Sequence, residues 1–229
     1  MLKPAVNFPI LDTAGVLTIR NVASLEIPTL RTVNGIIFKE NNFRGFSMPN
    51  LDTMGFISIS ACSYLETISF PNVRSLRSEL FHREQLTQSL QVIDNPLLKT
   101  ISFPQLTLIR GDLVISNNIA LSEINGFYLV NAVEGNIDLT GSFNAISLPL
   151  LWHVGGGVNV QTSSNTFLCP FSEIRSNGVV KGYGFICSGK IEQPVPGVNG
   201  TNQTADCGRC SALCPLHFIG NPDISGIGV

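Results

Sequence analysis

The sequence predicts an all-β fold, a right-handed parallel β-solenoid of about seven coils. Three observations lead to this prediction: an apolar-Pro-x-Leu step recurs at nearly constant spacing, short segments alternate between apolar and polar residues, and charged side chains make up only 13% of the 229 residues. This charged fraction is about half that of a typical soluble domain. Because one coil cannot bury its apolar face alone, stacked coils would share one continuous core.

The apolar-Pro-x-Leu step marks the start of each coil. Five of the six intervals between successive copies fit one solenoid coil, and the remaining interval of 33 residues fits one coil plus an insertion of about eleven. In the sixth copy, FYLV, a tyrosine replaces the proline. The anchor residues of coils 1 to 7 are Pro9, Pro28, Pro49, Pro71, Pro104, Tyr128 and Pro149.

A short strand with period-two alternation comes after each anchor. Several of these strands lead into Asn, whose side-chain amide can hydrogen-bond the backbone of a tight turn, so that stacked copies would form a ladder. Cys62 occupies the equivalent position in its coil, where we expect a small buried thiol. The strand segments are Val16–Ile19, Ile36–Phe38, Phe56–Ile59, Leu90–Ile93, Asp112–Ile115, Asn136–Leu139 and Gly157–Val160.

The long interval predicts an insertion at about residues 74–88. Leu76 and Leu80 stand four residues apart in it, which predicts a short amphipathic helix lying against the coils. A solvated excursion without function is the default interpretation. The alternative is a partner-contact loop, since insertions in solenoids map to one face, and its candidate residues are Arg77, Glu79, His82, Arg83 and Glu84.

Two stretches resemble a known family, the receptor L-domain superfamily, whose solenoids are leucine-rich-repeat-like. One is SFPQLTLIRGDLVISNNIALSEI at Ser102–Ile124, and the other is FLCPFSEIRSNGVVKGYGFIC at Phe167–Cys187. The chain resembles in particular fungal, often GPI-anchored, surface proteins of the sporulation-specific and cell-wall-organisation group. The resemblance covers roughly residues 8–190. It implies a non-enzymatic protein of the cell surface, or a ligand-binding part of a receptor.

The two ends of the chain depart from that group. Met1-Leu2-Lys3 runs almost directly into an anchor without the apolar run of a secretion signal, and the C-terminus has neither a Ser/Thr-rich stalk nor a GPI signal. We therefore expect a truncated gene model or a fragment, held to a membrane only by an anchor not present in this chain. The expected parts are a solenoid over 1–190, a Pro/Gly linker over 191–206, and a Cys-rich segment or tail over 207–229.

Cysteines and sequons indicate an oxidising, secretory compartment. Cys169 and Cys187 bracket the last coil, where a disulfide would hold a cap that has no neighbour beyond it. Asn199 and Asn202 begin two adjacent glycosylation sequons in the linker, where exposure is expected. The expected location is therefore extracellular, at the cell surface.

The C-terminal segment contains three closely spaced cysteines and a histidine. A zinc site is one interpretation, because these ligand types suit tetrahedral zinc. The favoured alternative is the start of a disulfide-rich module whose partner cysteines lie beyond residue 229. We expect no metal and no other cofactor. The residues concerned are Cys207, Cys210, Cys214 and His217.

A β-helical polysaccharide enzyme is the rival function, since such folds carry paired catalytic carboxylates on an outward strand face. The outward positions predicted here hold one carboxylate, Asp138, and we interpret Arg110 over Glu134 as an exposed ion pair between coils. The sequence has no G-x-S-x-G nucleophile motif. We therefore expect no enzymatic activity, and we treat the polar face around Asp138 and Asn159 as a second candidate contact for a protein or glycan.

The composition restricts the class of partner. Fourteen Lys and Arg against sixteen Asp and Glu leave a net charge of −2, so no basic field is available for a phosphate backbone and nucleic acid is not expected. No apolar stretch approaches the roughly 20 residues that a transmembrane helix requires. The predicted function is cell-wall or surface organisation or recognition, with the ligand-binding ectodomain of a membrane receptor as the alternative.

Overall fold

The computed structural model describes residues 3–77, 88–171, 178–182 and 184–189, and all regular secondary structure in these ranges is β-strand. Parallel strands stack into a β-solenoid of about seven turns, which confirms the predicted fold class. No helix in the described part of the chain is long and apolar enough to cross a membrane.

Each coil carries a short strand before its anchor and a longer strand, or a pair of strands, after it. The short strands are β1 (Ala5–Asn7), β3 (Ser24–Glu26), β5 (Gly45–Ser47), β7 (Thr67–Ser69), β10 (Thr100–Ser102), β13 (Glu123–Ile124) and β16 (Ala145–Ile146). The others are β2 (Thr13–Arg20), β4 (Thr32–Lys39), β6 (Thr53–Ser60), β8 (Ser75–Leu76), β9 (Gln88–Ile93), β11 (Leu108–Ile109), β12 (Asp112–Ser116), β14 (Ala132–Val133), β15 (Ile137–Gly141), β17 (His153–Val154), β18 (Val158–Thr162) and β19 (Phe185–Ser188).

The strands after the anchors form one 12-stranded parallel sheet. In coils 1 to 3 the strand is continuous, as β2, β4 and β6, whereas from coil 4 onward a corner divides it into a short and a longer piece. Because β6 pairs with both β8 and β9, the two halves of the sheet meet at coil 3. The strands before the anchors form three smaller sheets, β1-β3, β5-β7-β10 and β13-β16.

The predicted insertion falls between β8 and β9, and most of it lies outside the described residues. Leu76 lies in β8, pairs with Met54 and Ile109 on the neighbouring coils, and is fully buried. The predicted helix is therefore wrong for Leu76, because two flanking strands satisfy its backbone and the core takes its side chain. Leu80 lies outside the described residues.

Each anchor forms a tight turn. The amide of Leu106 donates to the carbonyl of Phe103 at 3.1 Å, and the amide of Leu51 donates to Met48 at 3.3 Å. Proline suits the second position of such a turn because its ring fixes φ. The degenerate copy makes the same bond, from Val130 to Phe127 at 3.2 Å, so the turn forms without proline.

Phenylalanines from successive coils stack along the core. Phe103 lies between Phe70 and Phe127, with ring centroids 5.0 and 5.6 Å away and interplanar angles of 21° and 13°. All three side chains are buried. The apolar residue before each of these anchors therefore joins its coil to the next, and the core is continuous from coil to coil.

The predicted asparagine ladder lies at the turn after the long strands. Asn95 Oδ1 accepts from the Cys62 amide at 3.0 Å, and Asn118 Oδ1 accepts from the Asn95 amide at 3.0 Å. Asn41 Oδ1 does the same for Val22 at 3.0 Å. These asparagines are buried, so each side chain satisfies backbone groups that water cannot reach.

Cys62 occupies one position of this ladder as a buried free thiol. Burial raises the pKa of Cys62, and hydrogen bonds from the backbone and side chain of Asn41 act in the opposite direction. The Cys62 sulfur thus interacts with Asn41 of the preceding coil. At the same position in other coils, the side-chain oxygen of an asparagine accepts a hydrogen bond from the preceding coil. The raised pKa keeps the thiol neutral, which agrees with the predicted packing role.

A disulfide joins Cys169 to Cys187, the two cysteines that bracket the last coil in the sequence. Cys187 lies in β19, which pairs with β18 and extends the large sheet past coil 7. Both cysteines pack against the core while remaining partly exposed. The bond therefore holds the last strand of the solenoid over the end of the core.

Replacing Cys169 and Cys187 together by serine should lower the free energy of unfolding by about 3 kcal/mol, because the closed loop restricts the unfolded chain. Urea unfolding followed by circular dichroism measures the change. Wild-type protein treated with a reductant is the control and should lose a similar amount. An unchanged urea midpoint in the double variant would contradict this role.

Candidate functional site

The row of positions predicted to face outward on the longer strands forms one continuous line across the sheet, and five of its seven residues are polar. Thr18, Ile37, Ser58, Gln91, Val114, Asp138 and Asn159 are successive register partners across β2, β4, β6, β9, β12, β15 and β18.

Asp138 and Asn159 are held by each other and by Gln161, two residues after Asn159 in β18. Asn159 Nδ2 donates to Asp138 Oδ1 at 3.0 Å, and Gln161 Nε2 donates to Asn159 Oδ1 at 2.8 Å. Ser58 and Gln91 form a similar pair at 2.7 Å. The face is thus a hydrogen-bonded polar surface whose side chains bond each other, and Asp138 is part of that network.

A second feature is an open groove of about 960 Å³ on coils 2 to 5, next to β8. The described residues that line it are mainly polar and charged, and none of them is aromatic. We call the strand residues Thr53 and Ser75 its floor, and the lining residues before and after these strands along each coil its two walls. The wall residues are Arg31, Asn50, Asp52, Asn72, Arg74, Arg77 and Gln105.

One wall belongs to a column of residues that stand three positions after each anchor, which we call the post-anchor column. Backbone hydrogen bonds run along it from coil to coil, from Asp52 to Arg31 at 3.0 Å and from Thr107 to Arg74 at 2.8 Å. The side chains alternate in charge over the first four coils. The column comprises Asp12, Arg31, Asp52, Arg74, Thr107, Asn131 and Trp152.

Asparagines of the anchor turns fix the rim of this wall. Asn50 Nδ2 donates to the carbonyl of Pro28 at 2.6 Å, and Asn72 Nδ2 donates to that of Pro49 at 2.6 Å. Each amide is thereby tied to the coil before it. Both side chains are exposed, so their oxygens are held at the surface of the groove.

Arg77 forms the opposite wall, at the corner after β8. Its amide donates to the Met54 carbonyl at 3.4 Å, which places it beside Gly55 of the preceding coil. A Cβ at Gly55 would lie 2.1 Å from the carbonyl oxygen of Asn34. A side chain at position 55 would therefore clash with coil 2. The close approach of coils 2 and 3 at the groove depends on this glycine.

The groove carries an excess of positive charge, with three guanidinium groups against the carboxylate of Asp52. Arg31 forms an exposed ion pair with Asp12 at 3.6 Å. Within the described ranges, no carboxylate lies within 4 Å of the side-chain nitrogens of Arg74 or Arg77. Both side chains are exposed.

The post-anchor column ends at Trp152 on coil 7. Its amide donates to the Asn131 carbonyl at 2.9 Å, and that of Asn131 donates to Thr107, so the indole continues the line of the groove along the same face. The Trp152 side chain is 64% exposed and its ring lies 5.6 Å from that of His153. Tyr128, at the anchor of coil 6, is 52% exposed.

The corner between the short and the longer strands of coils 5 and 6 holds two further acidic residues, Asp112 and Glu134. Asp112 is buried, and its Oδ1 accepts from the amide and the side chain of Asn136 at 2.6 and 3.0 Å. Its carboxylate therefore supports the corner. The predicted ion pair between Arg110 and Glu134 is wrong, since it is not among the ion pairs of the described residues.

Of the predicted insertion contacts, Arg77 lines the groove, while Glu79, His82, Arg83 and Glu84 lie outside the described residues. The sequons at Asn199 and Asn202 lie outside them too. Among the described residues, no three His, Cys, Asp or Glu side chains are grouped for a metal ion. The set Cys207, Cys210, Cys214 and His217 falls beyond that range.

Sequence reasoning misses Arg31, Asp52 and the two asparagines of the rim as site residues. A signal for them exists in the repeat itself. Aligning the coils on their anchors and reading three residues further gives the alternation of Asp and Arg in the post-anchor column. The repeat step ends one residue before this column. Because the fourth step ends at Val73, the sequence analysis assigns the next residue, Arg74, to the insertion.

Comparison with known proteins finds relatives among fungal proteins. The chain is 29% identical to a cell surface GPI-anchored protein of Arthroderma benhamiae over 84% of its length and 41% of the relative. It is 29% identical to sporulation-specific protein 2 of Saccharomyces cerevisiae, over 80% of the chain and 29% of the relative. With protein ecm33 of Aspergillus fumigatus it shares 24% identity, over 77% and 36%.

The chain spans less than half the length of these relatives. No family model matches it. No solved structure matches it either.

Proposed function

We propose that the chain is the solenoid part of a non-enzymatic, extracellular cell-surface protein that organises the cell wall or recognises a surface ligand. Its fold is assigned in this proposal to the receptor L-domain type. The relatives support it, since one is named as a GPI-anchored protein of the cell surface. We extend attachment at the surface to this chain on that basis.

The observation that carries the extracellular assignment is the Cys169–Cys187 disulfide. Disulfides persist in oxidising compartments and are rare in the cytosol. The bond closes the last described coil, where a solenoid needs its end covered. A protein whose terminal coil depends on this bond folds best in the secretory pathway.

The proposed organisation has three parts, a solenoid over 1–190, a linker over 191–206 with glycans on Asn199 and Asn202, and a Cys-rich segment over 207–229. The groove and the polar face around Asp138 and Asn159 supply surfaces for a protein or glycan partner. No nucleic acid partner is proposed, because the whole chain carries a net charge of −2.

A ligand-binding ectodomain of a membrane receptor is the second candidate. The spacing of Cys207, Cys210 and Cys214 favours it, because closely spaced cysteines at the end of an extracellular domain are typical of a disulfide-rich module. Both candidates place the solenoid outside the cell and use it for binding. They differ in the membrane anchor, which is a GPI lipid in the first and a membrane-spanning helix in the second.

Expression of the full-length gene product with an epitope tag in its source organism tests the placement. We expect the tag in the cell-surface fraction, where protease added to intact cells digests it. The variant Asn199→Gln/Asn202→Gln should migrate faster than wild type because it loses two glycans. Asn144→Gln, which lies outside any sequon, is the matched control. A tag protected inside intact cells would contradict the proposal.

The non-enzymatic part is tested on wall polysaccharides. Purified protein should produce no new reducing ends, because the outward face holds only Asp138 where glycoside hydrolysis uses two carboxylates. Release of sugar that disappears in Asp138→Ala would make the protein an enzyme.

A further inference from the structure

We propose that the groove binds an anionic glycan, a sugar chain bearing phosphate or carboxylate groups, that lies along the solenoid axis. Its acidic groups meet Arg31, Arg74 and Arg77, and a sugar ring further along packs on Trp152. The inference rests on the proposed function in one respect, since a surface location is what exposes the groove to glycans.

The charges of the groove select an anion. Guanidinium groups bind phosphate and carboxylate oxygens through two parallel N–H donors, a geometry that an ammonium group does not offer. Arg74 and Arg77 both line the groove at coil 4, one on each side of β8 along the chain, so the same stretch of the groove offers two guanidinium groups to an oxyanion. Arg31, two coils away, provides a further contact for a second acidic group.

The polar rim suits a hydroxylated chain. The nitrogens of Asn50 and Asn72 are engaged by Pro28 and Pro49, which leaves their Oδ1 atoms as acceptors at the surface. Gln105 on the next coil and the hydroxyl of Ser75 add donors and acceptors. The Thr53 hydroxyl donates to Asp52 Oδ1 at 2.8 Å and therefore adds an acceptor. Sugar hydroxyls both donate and accept, so such a lining can pair with them along the whole groove.

The aromatic end favours a sugar over a simple polyanion. The negatively polarised face of an aromatic ring attracts the C–H bonds of a sugar ring, which are polarised by the adjacent oxygens. Trp152 is largely exposed on the same face as the groove. It lies in the post-anchor column three coils beyond Arg74, or about 14 Å away at about 4.8 Å per coil. A ligand that reaches both is an elongated chain.

Isothermal titration of the purified protein with a phosphorylated mannose oligosaccharide and with a hexamer of galacturonic acid tests the inference. The matched neutral ligands are the dephosphorylated oligosaccharide and the methyl-esterified hexamer. We expect at least one acidic ligand to bind more than about tenfold more tightly than its neutral form, with affinity falling as salt rises. Which acidic ligand binds distinguishes phosphate from carboxylate recognition.

Variants locate the binding. Arg74→Gln/Arg77→Gln should lose about tenfold or more in affinity, because each removes a charge-assisted hydrogen bond. The matched control is Arg20→Gln, because Arg20 is an exposed arginine at the C-terminal end of β2 and is not among the groove residues. This variant should leave affinity unchanged. Trp152→Ala should lose about fivefold, and Tyr64→Ala, equally a surface aromatic but on another corner, should lose nothing.

Three results would overturn the inference: equal binding of acidic and neutral sugars, no binding of either acidic ligand, and binding of an inorganic polyphosphate as tight as that of the sugars. The last result would assign the groove to charge alone. Each leaves the surface location untouched, because that is measured in intact cells. Conversely, a protected tag in cells would remove the proposed function while a positive titration kept the groove as a binding site.

Discussion

Replacing Phe103 by alanine is expected to lower the free energy of unfolding by about 4 kcal/mol, within the usual range for a buried aromatic side chain. Phe103 is 1% exposed and stacks on Phe70 and Phe127, one coil away on either side. Truncation removes both ring contacts and leaves a cavity that the backbone can close only in part, because stacked strands fix the distance between coils.

Urea unfolding at constant temperature measures the loss in Phe103→Ala. Phe8→Ala is the matched control, since Phe8 precedes the anchor of coil 1 in the same way but is 37% exposed. We expect its effect to be less than half as large. Equal effects of the two variants would show that burial in the stack does not set the stability of the coils.

Replacing Asn95 by alanine is expected to lower the free energy of unfolding by about 3 kcal/mol, because it leaves buried backbone groups without partners at about 1–3 kcal/mol each. Asn95 Oδ1 is the acceptor for the Cys62 amide, and its Nδ2 donates to the carbonyl of Ile93 at 2.9 Å. The side chain is fully buried, so water cannot replace these bonds.

The same unfolding measurement applies to Asn95→Ala, with Asn144→Ala as the control at an exposed position. The control should change the free energy of unfolding by less than about 0.5 kcal/mol. Hydrogen exchange gives a second readout, since the Cys62 amide should exchange faster in Asn95→Ala. Unchanged protection of that amide would contradict the ladder.

Cys62 illustrates how far local pattern carries. Its place in the asparagine ladder can be inferred from its position after a strand, and the structure confirms its burial. By contrast, Leu76 and Leu80 have the spacing of a helix, yet Leu76 is a strand residue. The spacing of residues within one segment cannot reveal that β6 and β11 flank Leu76 and pair with it on both sides.

The groove could be predicted only in part. The sequence points to Arg77 because charge is scarce in this chain, but it places that residue in the insertion. The other two arginines that line the groove, Arg31 and Arg74, belong to the post-anchor column. Their meeting depends on the register between coils, which backbone hydrogen bonds set and which no single coil specifies.

The sequence by itself determined the solenoid, its anchors and its buried alternation, because these features recur in every coil. It also determined the pairing of Cys169 with Cys187, because the two cysteines bracket the last coil. The tertiary structure alone decided where the charges gather. Stacking places residues of successive coils about 4.8 Å apart along one face, and the division of the strand from coil 4 onward creates the corner at which Arg77 lines the groove. A binding surface built across coils is a property of their register, and register is settled only when the coils pack.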